Sequence, residues 1–216
     1  VITKDAVIVK LSGKDTTAGI VDGNYYDLSG NVDENQKGDS TLTSYATLNT
    51  SNTADGAFGY IARNGGTLNH KGSIDFDQAG STGVLVSGGT LNNDGDIKVN
   101  GVAVSIEGAD SVVNNNATVT ATDGTAAYLV GNDASLSLTG SGETKASGDA
   151  HGILLAAGAK GLLVDGAIIT MDSTGKGSAI ENVANIAGIQ LKDTTISVGN
   201  GIGIHTGASL AQTNSG

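Results

Sequence analysis

The chain repeats itself, and the spacing of the repeat limits what it can fold into. A Gly-Gly-Thr-Leu-Asn block opens at Gly65 and again at Gly88, about 23 residues later. The alignment extends on both sides, pairing Gly59–Phe76 with Gly83–Val99. Next come Gly101-Val-Ala-Val-Ser-Ile106 and Val112-Val-Asn-Asn-Asn-Ala-Thr-Val119, shifted by about 22. Ala126–Val130 with Ala134–Leu138 makes a fourth copy. Gly161–Met171 matches Gly188–Val198 at about 27, and Gly201-Ile-Gly-Ile-His205 opens the last visible copy. Periods of 20 to 50 residues mark repeat architectures, in which each unit buries its apolar face only against its neighbours.

Each copy follows one grammar: a short apolar run, a Gly/Asn/Asp turn, an alternating strand, another turn and a second alternating strand. Val102–Ile106, Leu136-Ser-Leu138 and Ile196-Ser-Val198 alternate at period two, the mark of strands with one face inward. The strands are too short for a hairpin sandwich, no run keeps a helical period, and the dense leucines of a leucine-rich repeat are missing. The arrangement that satisfies the pattern is an all-β solenoid whose strands pair with their equivalents one coil away. We read it as a right-handed, single-stranded parallel β-helix of about eight or nine coils, a rod of roughly 40 Å at the usual strand spacing.

Composition agrees with this fold. Glycine supplies 34 of 216 residues and proline none, and there is no tryptophan. Turns between stacked sheets need left-handed backbone, which Gly, Asn and Asp tolerate. Central strands need every N–H, which proline lacks. Inward positions are expected to hold Val, Ile, Leu and Ala. Asn69, Asn92 and Asn114 fall at equivalent positions and are expected to form an amide ladder. Residues 1–216 read as one β-helix fragment, regular over 56–216 with coils of 22–27 residues. Residues 22–55 form an irregular excursion or the first coils. That stretch carries Tyr25, Tyr26 and Tyr45, the binding candidates; the alternative is that these tyrosines cover a core edge.

Charge and residue types exclude several functions. With 11 basic against 22 acidic residues and Arg63 as the one arginine, no basic patch can track a nucleic-acid backbone. The scattered lysines do not favour anionic membranes, and no apolar run is long enough to insert in one. The start, Val1-Ile-Thr-Lys-Asp5, lacks an initiator methionine and a signal peptide and reads as a segment of something longer. Absence of cysteine removes disulfides, thiolate zinc sites and cysteine nucleophiles.

No catalytic constellation emerges, so no catalytic residue is assigned and the chain is not expected to be an enzyme. A β-helix lyase or hydrolase would need clustered carboxylates with a base and aromatic platforms for sugar rings. Asp75/Asp77 and Asp94/Asp96 are the best acidic pairs, but Asp75 stacks near Lys98 rather than near another acid. Gly38-Asp-Ser40 lacks the histidine partner that a serine nucleophile needs and reads as a turn. His70, His151 and His205 lie two to four coils apart, so they are expected at the surface or in turns, with no metal between them. Gly88–Asp96 fails the calcium-roll spacing, and Thr41-Leu-Thr43 and Thr118-Val-Thr120 do not recur as an ice-binding face would require. No cofactor is expected.

The coils at Gly83–Val99 and at His151-Gly-Ile-Leu-Leu-Ala-Ala-Gly-Ala159 through Ile168-Ile-Thr-Met171 resemble those of pertactin-like autotransporter (type V secretion) passenger domains. The resemblance is a rung pattern covering roughly residues 56–210. It implies export through a C-terminal barrel not in this chain and display at the Gram-negative outer-membrane surface. Cysteine-poor sequence suits that route. The Arg-Gly-Asp triplet of some adhesive relatives is absent, so integrin binding does not carry over. The expected function is adhesion as a cell-surface or secreted virulence module, with a host surface protein, a glycan or another bacterium as partner. The alternatives are a rigid stalk of a larger surface protein and, further off, a β-helix polysaccharide lyase or hydrolase.

Overall fold

The computed structural model describes residues 7–26, 29, 32–37, 40–51, 53–184, 186 and 188–207, of which 25–26 and 33–37 are described in backbone alone. Among the described residues the chain is all strand and turn, a parallel β-solenoid of about seven turns. β1 (Ile8–Leu11) and β2 (Thr17–Asp22) open the stack. β3 (Asn24–Tyr26) and β4 (Val32–Lys37) pair antiparallel as a hairpin, and β5 (Thr41–Ser44) completes the turn. β6 (Thr47–Thr50), β7 (Phe58–Arg63) and β8 (Thr67–His70) make the second. In the next two turns the first two strands merge, as β9 (Ser73–Ser87) before β10 (Thr90–Asn93) and β11 (Ile97–Glu107) before β12 (Val112–Asn115). β13 (Thr118–Thr122), β14 (Ala126–Val130) and β15 (Ser135–Thr139) follow, then β16 (Glu143–Ser147), β17 (His151–Leu155) and β18 (Gly161–Asp165). β19 (Ile168–Met171), β20 (Ser178–Asn182) and β21 (Ile189–Lys192) form the seventh, and β22 (Thr195–Val198) and β23 (Ile202–Thr206) continue the stack.

The expectation of eight or nine coils is therefore too high. Dividing the chain by its repeat assigns residues 24–37 to a coil, whereas β3 and β4 pair with each other and add no rung.

Three faces run along the axis. The first carries β1, β6, the start of β9 and of β11, then β13, β16, β19 and β22. The second carries β2, β7, the rest of β9 and of β11, then β14, β17, β20 and β23. The third is split, with β5, β8, β10 and β12 in one sheet and β15, β18 and β21 in another. Thr67, Thr90 and Val112 stand in one row, as do Ile168 and Thr195, so the repeats visible in the sequence are the rungs that pair.

Period-two alternation sends one row of each strand inward. Leu48, Ile74, Ile97 and Val119 stack on the first face, with Ile169 beyond Thr144 in the same row, and Leu68 on Leu91 on the third, all with 0–1% exposure. Each such side chain contributes about 1.5–3 kcal/mol by leaving water. The core is not limited to small aliphatics, because Tyr60 and Tyr128 are as buried as any residue. Tyr60 fits because its neighbour in the row below is Gly19, whose missing side chain leaves the ring its space.

Two backbone features keep the coils closed. Every described non-glycine residue with positive φ is Asp or Asn (Asp15, Asn64, Asp123, Asn132, Asp133 and Asp193), the residues that best tolerate left-handed turns. On the second face the ladder passes over one position per coil without a change of register, and Gly59, Gly83, Ala103, Ala127, Gly152 and Ala179 occupy that place. A Cβ at Gly59 would lie 2.3 Å from the Gly83 carbonyl oxygen, so the close approach of adjacent coils requires glycine there.

Candidate functional site

The outward side chains are organised by the same stacking. The amide ladder is present: Asn114 Nδ2 donates to Asn92 Oδ1 at 2.8 Å, Asn92 Nδ2 to Asn69 Oδ1 at 2.8 Å, and Asn69 Nδ2 to Thr43 Oγ1 at 3.3 Å. Ion pairs also run from coil to coil. Arg63 meets Asp22 at 2.7 Å, Lys71 meets Asp94 at 3.1 Å, Lys98 meets Asp75 at 3.3 Å and Lys192 meets Asp165 at 3.0 Å. Hydrogen bonds from Asn116 and Lys71 hold the Asp94 carboxyl below its ordinary range. Asp96 accepts from the Thr118 N–H at 3.1 Å, and the Asp77 carbonyl accepts from Asn100 Nδ2. The carboxylates of Asp75, Asp94 and Asp96 are thus each engaged by a neighbouring coil.

A groove of about 450 Å³ crosses the outer side of the first face, from Asn49 and Thr47 to Lys145. Its central row is Asn49, Asp75, Lys98, Thr120 and Lys145, each in register with the next. Asp75, Lys98 and Lys145 are about half exposed, while Lys145 also meets Glu143 at 2.9 Å. A second concavity of about 400 Å³ lies where Asn24, at the base of the hairpin, faces the turns at Asn64–Gly65 and Gly88–Thr90.

The histidines differ from expectation. His70 is fully buried, its ring centroid 5.9 Å from that of Tyr60, whose hydroxyl shares a 2.5 Å hydrogen bond with Ser44. Burial pulls its pKa down to about 4, against the opposing pull of the Asp96 backbone and of the Asp94 and Asp96 charges. It occupies the inward row Ser44, His70, Asn93 and Asn115, where Asn93 Nδ2 donates to Asn115 Oδ1 at 2.7 Å. The signal was available: Thr67-Leu-Asn-His70 aligns with Thr90-Leu-Asn-Asn93, and alternation puts position 70 on the same side as Leu68.

His151 and His205 do come together, at Glu181 on the coil between them. His205 Nδ1–H donates to Glu181 Oε1 at 2.6 Å, Ser178 Oγ–H donates to Oε2 at 2.7 Å, and His151 Nδ1 stands 3.9 Å from Oε2. Burial pushes the Glu181 carboxyl up, but Ser178, His205 and the nearby imidazoles together hold it below its ordinary value. His151 Nδ1 accepts the Ser178 N–H at 3.0 Å, and burial lowers its pKa in spite of the Glu181 charge. Separation along the sequence concealed this cluster, because column position rather than coil number decides which side chains meet. Among the described residues no three His, Asp or Glu side chains are placed to hold a metal ion.

Tyr45 is half-buried at the corner between β5 and β6, well separated in the chain from β3, where Tyr25 and Tyr26 fall and only the backbone is described. Gly38 and Asp39 of the Gly-Asp-Ser triplet lie outside the described residues. Compared with known proteins, the chain matches no family model, no curated protein and no solved structure.

Proposed function

We propose that this chain is a non-enzymatic adhesive rod, a passenger fragment of a pertactin-like autotransporter displayed at the Gram-negative cell surface. One observation carries the reading: the outer groove of the first face repeats a polar side chain at every coil, from Asn49 to Lys145. A row of polar groups, one to each coil, suits many weak contacts that add through multivalency. The rung pattern at Gly83–Val99 and His151–Met171 supports the family assignment. The engagement of Asp75 and Asp94 by lysines supports a binding role over acid–base chemistry. The partner is a host surface protein or glycan, or a neighbouring bacterium.

The stalk reading draws on a separate observation, the ion pairs that tie coil to coil and stiffen the rod. Beads coated with the chain, applied to cultured epithelial cells and to immobilised matrix proteins, decide between the two. Saturable binding that soluble chain competes away is the expected result. No binding by the folded chain would leave the stalk in place of the adhesin.

A further inference from the structure

We propose that the outer groove of the first face binds an extended, uncharged glycan chain laid along the solenoid axis. The proposal rests on the adhesive reading and names its ligand class and its site.

Geometry supplies the first argument. The row Asn49, Asp75, Lys98, Thr120 and Lys145 presents one polar side chain per coil. Parallel strands are about 4.8 Å apart, close to the length that one pyranose ring adds to an extended β-linked chain. A glycan lying along the axis therefore meets one polar side chain at about each sugar. The groove's volume of about 450 Å³ is enough to seat several rings partly sunk between the rows.

Chemistry supplies the second. Sugar hydroxyls both donate and accept, and the groove offers both kinds of partner. Asn49, Thr120 and the lysines donate, and the Asp75 carboxylate accepts. Lys98 and Asp75 orient each other at 3.3 Å while each stays 51% exposed, so both retain capacity for a ligand. Further bonds across coils, Ser73 Oγ to Thr47 Oγ1 at 3.3 Å and Thr170 Oγ1 to Glu143 at 3.2 Å, hold neighbouring side chains in place before any ligand arrives. Preorganised groups lose less entropy on binding.

Charge and backbone supply the third. The chain carries a formal charge of -11, and the groove's lysines stand against Asp75, Asp96 and Glu143, so a polyanionic glycan is repelled. An extended polypeptide gains its affinity on a sheet chiefly by pairing with an open strand edge. Here β9, β11 and β13 are paired on both sides, leaving side chains as the means of recognition. This favours a hydroxyl-rich chain over a peptide.

The test uses the full 216-residue chain. It is passed over immobilised hexamers of β-1,4-linked glucose, N-acetylglucosamine and mannose, with heparin and gelatin alongside, and binding is followed optically. Thr120→Arg fills the groove and Lys98→Ala removes a donor; Ser137→Arg adds the same bulk and charge on the third face. The expected result is saturable binding to at least one neutral hexamer and none to heparin. Thr120→Arg then weakens it at least tenfold, Lys98→Ala several-fold and Ser137→Arg not at all. Failure to bind any neutral hexamer overturns the proposal, as does a loss shared equally by Ser137→Arg. Gelatin binding that Thr120→Arg abolishes overturns it in favour of a polypeptide ligand. Beads carrying Thr120→Arg separate the two levels. If they adhere to cells as well as wild type, the glycan groove falls and the adhesin stands. If wild-type beads adhere to nothing, the adhesin falls, and the glycan groove stands or falls with the hexamers.

Discussion

The imidazole of His70 packs against the ring of Tyr60 inside the solenoid, one rung from the Asn93–Asn115 amide bond, so a titratable base sits where the neighbouring coils place asparagine. Its burial makes folding sensitive to acid. Above pH 6.5 the ring is neutral in both folded and unfolded chains and costs nothing. As the pH falls from 6.5 toward 4, the unfolded chain binds the proton first and stability declines. Over that window the loss approaches about 3 kcal/mol, and below it stays constant. Urea unfolding midpoints of wild type and His70→Asn, measured from pH 7.5 to 4, are expected to diverge across the window; parallel curves would refute the assignment.

Asn92 holds the middle of the outer amide ladder, donating to Asn69 and accepting from Asn114. Asn92→Ala breaks both bonds at a partly exposed site and is expected to lower stability by about 1–2 kcal/mol. Chemical denaturation measures this. A change within error would mean that water replaces the ladder at no cost.

The column of small residues on the second face gives a sharper contrast. Gly59→Ala drives a Cβ to within 2.3 Å of the Gly83 carbonyl oxygen and forces the coils apart. The expected cost is about 1–3 kcal/mol. Ala127→Gly, in the equivalent place, is expected to cost less, about 1 kcal/mol, from added backbone freedom and the loss of one buried methyl. Thermal midpoints of the two variants test the order; a reversal would show that the coil spacing relaxes freely at Gly59.

Glu181 bonds His205 on the next coil and Ser178 on its own strand, while Ser178 N–H donates to His151 on the coil before. Glu181→Gln is expected to cost about 1–2 kcal/mol by exchanging charge-assisted bonds for neutral ones. Because its carboxyl is held below the ordinary 4.5, this contribution is present above that pH and lost as the pH falls through the lowered value. Hydrogen exchange in β23 is the sensitive readout. Unchanged protection of Ile202–Thr206 at neutral pH would remove the cluster's structural role.

The fold was more legible in the sequence than its side-chain constellations were. Gly65-Gly-Thr-Leu-Asn69 and Gly88-Gly-Thr-Leu-Asn92 are neighbours along the axis, and their shift is the register of β8 on β10. The hairpin escaped because two short strands without a repeat partner look like a degenerate coil. The Glu181 cluster escaped for a different reason. Its members belong to three coils and meet only because His151 and His205 occupy outward columns beside Glu181, which follows from register and not from motif spacing. Tyr60 and Tyr128 escaped because alternation marks an inward place without saying how wide the core is there.

Among the described residues, the inward positions of the last rungs are more exposed than those beneath them. Leu191 and Val198 are 37% exposed and Ile204 is 41% exposed, whereas their partners one coil earlier, Val164, Met171 and Ile180, are buried. This has a mechanical consequence. Hydrogen bonds between coils point along the axis, so a pull on the two ends loads each coil interface in series. The interface with the least buried surface then yields first, and the coils beneath it keep their bonds. Under flow, the thinly buried rungs at β21–β23 would part before the grooved middle, whose interfaces bury more surface.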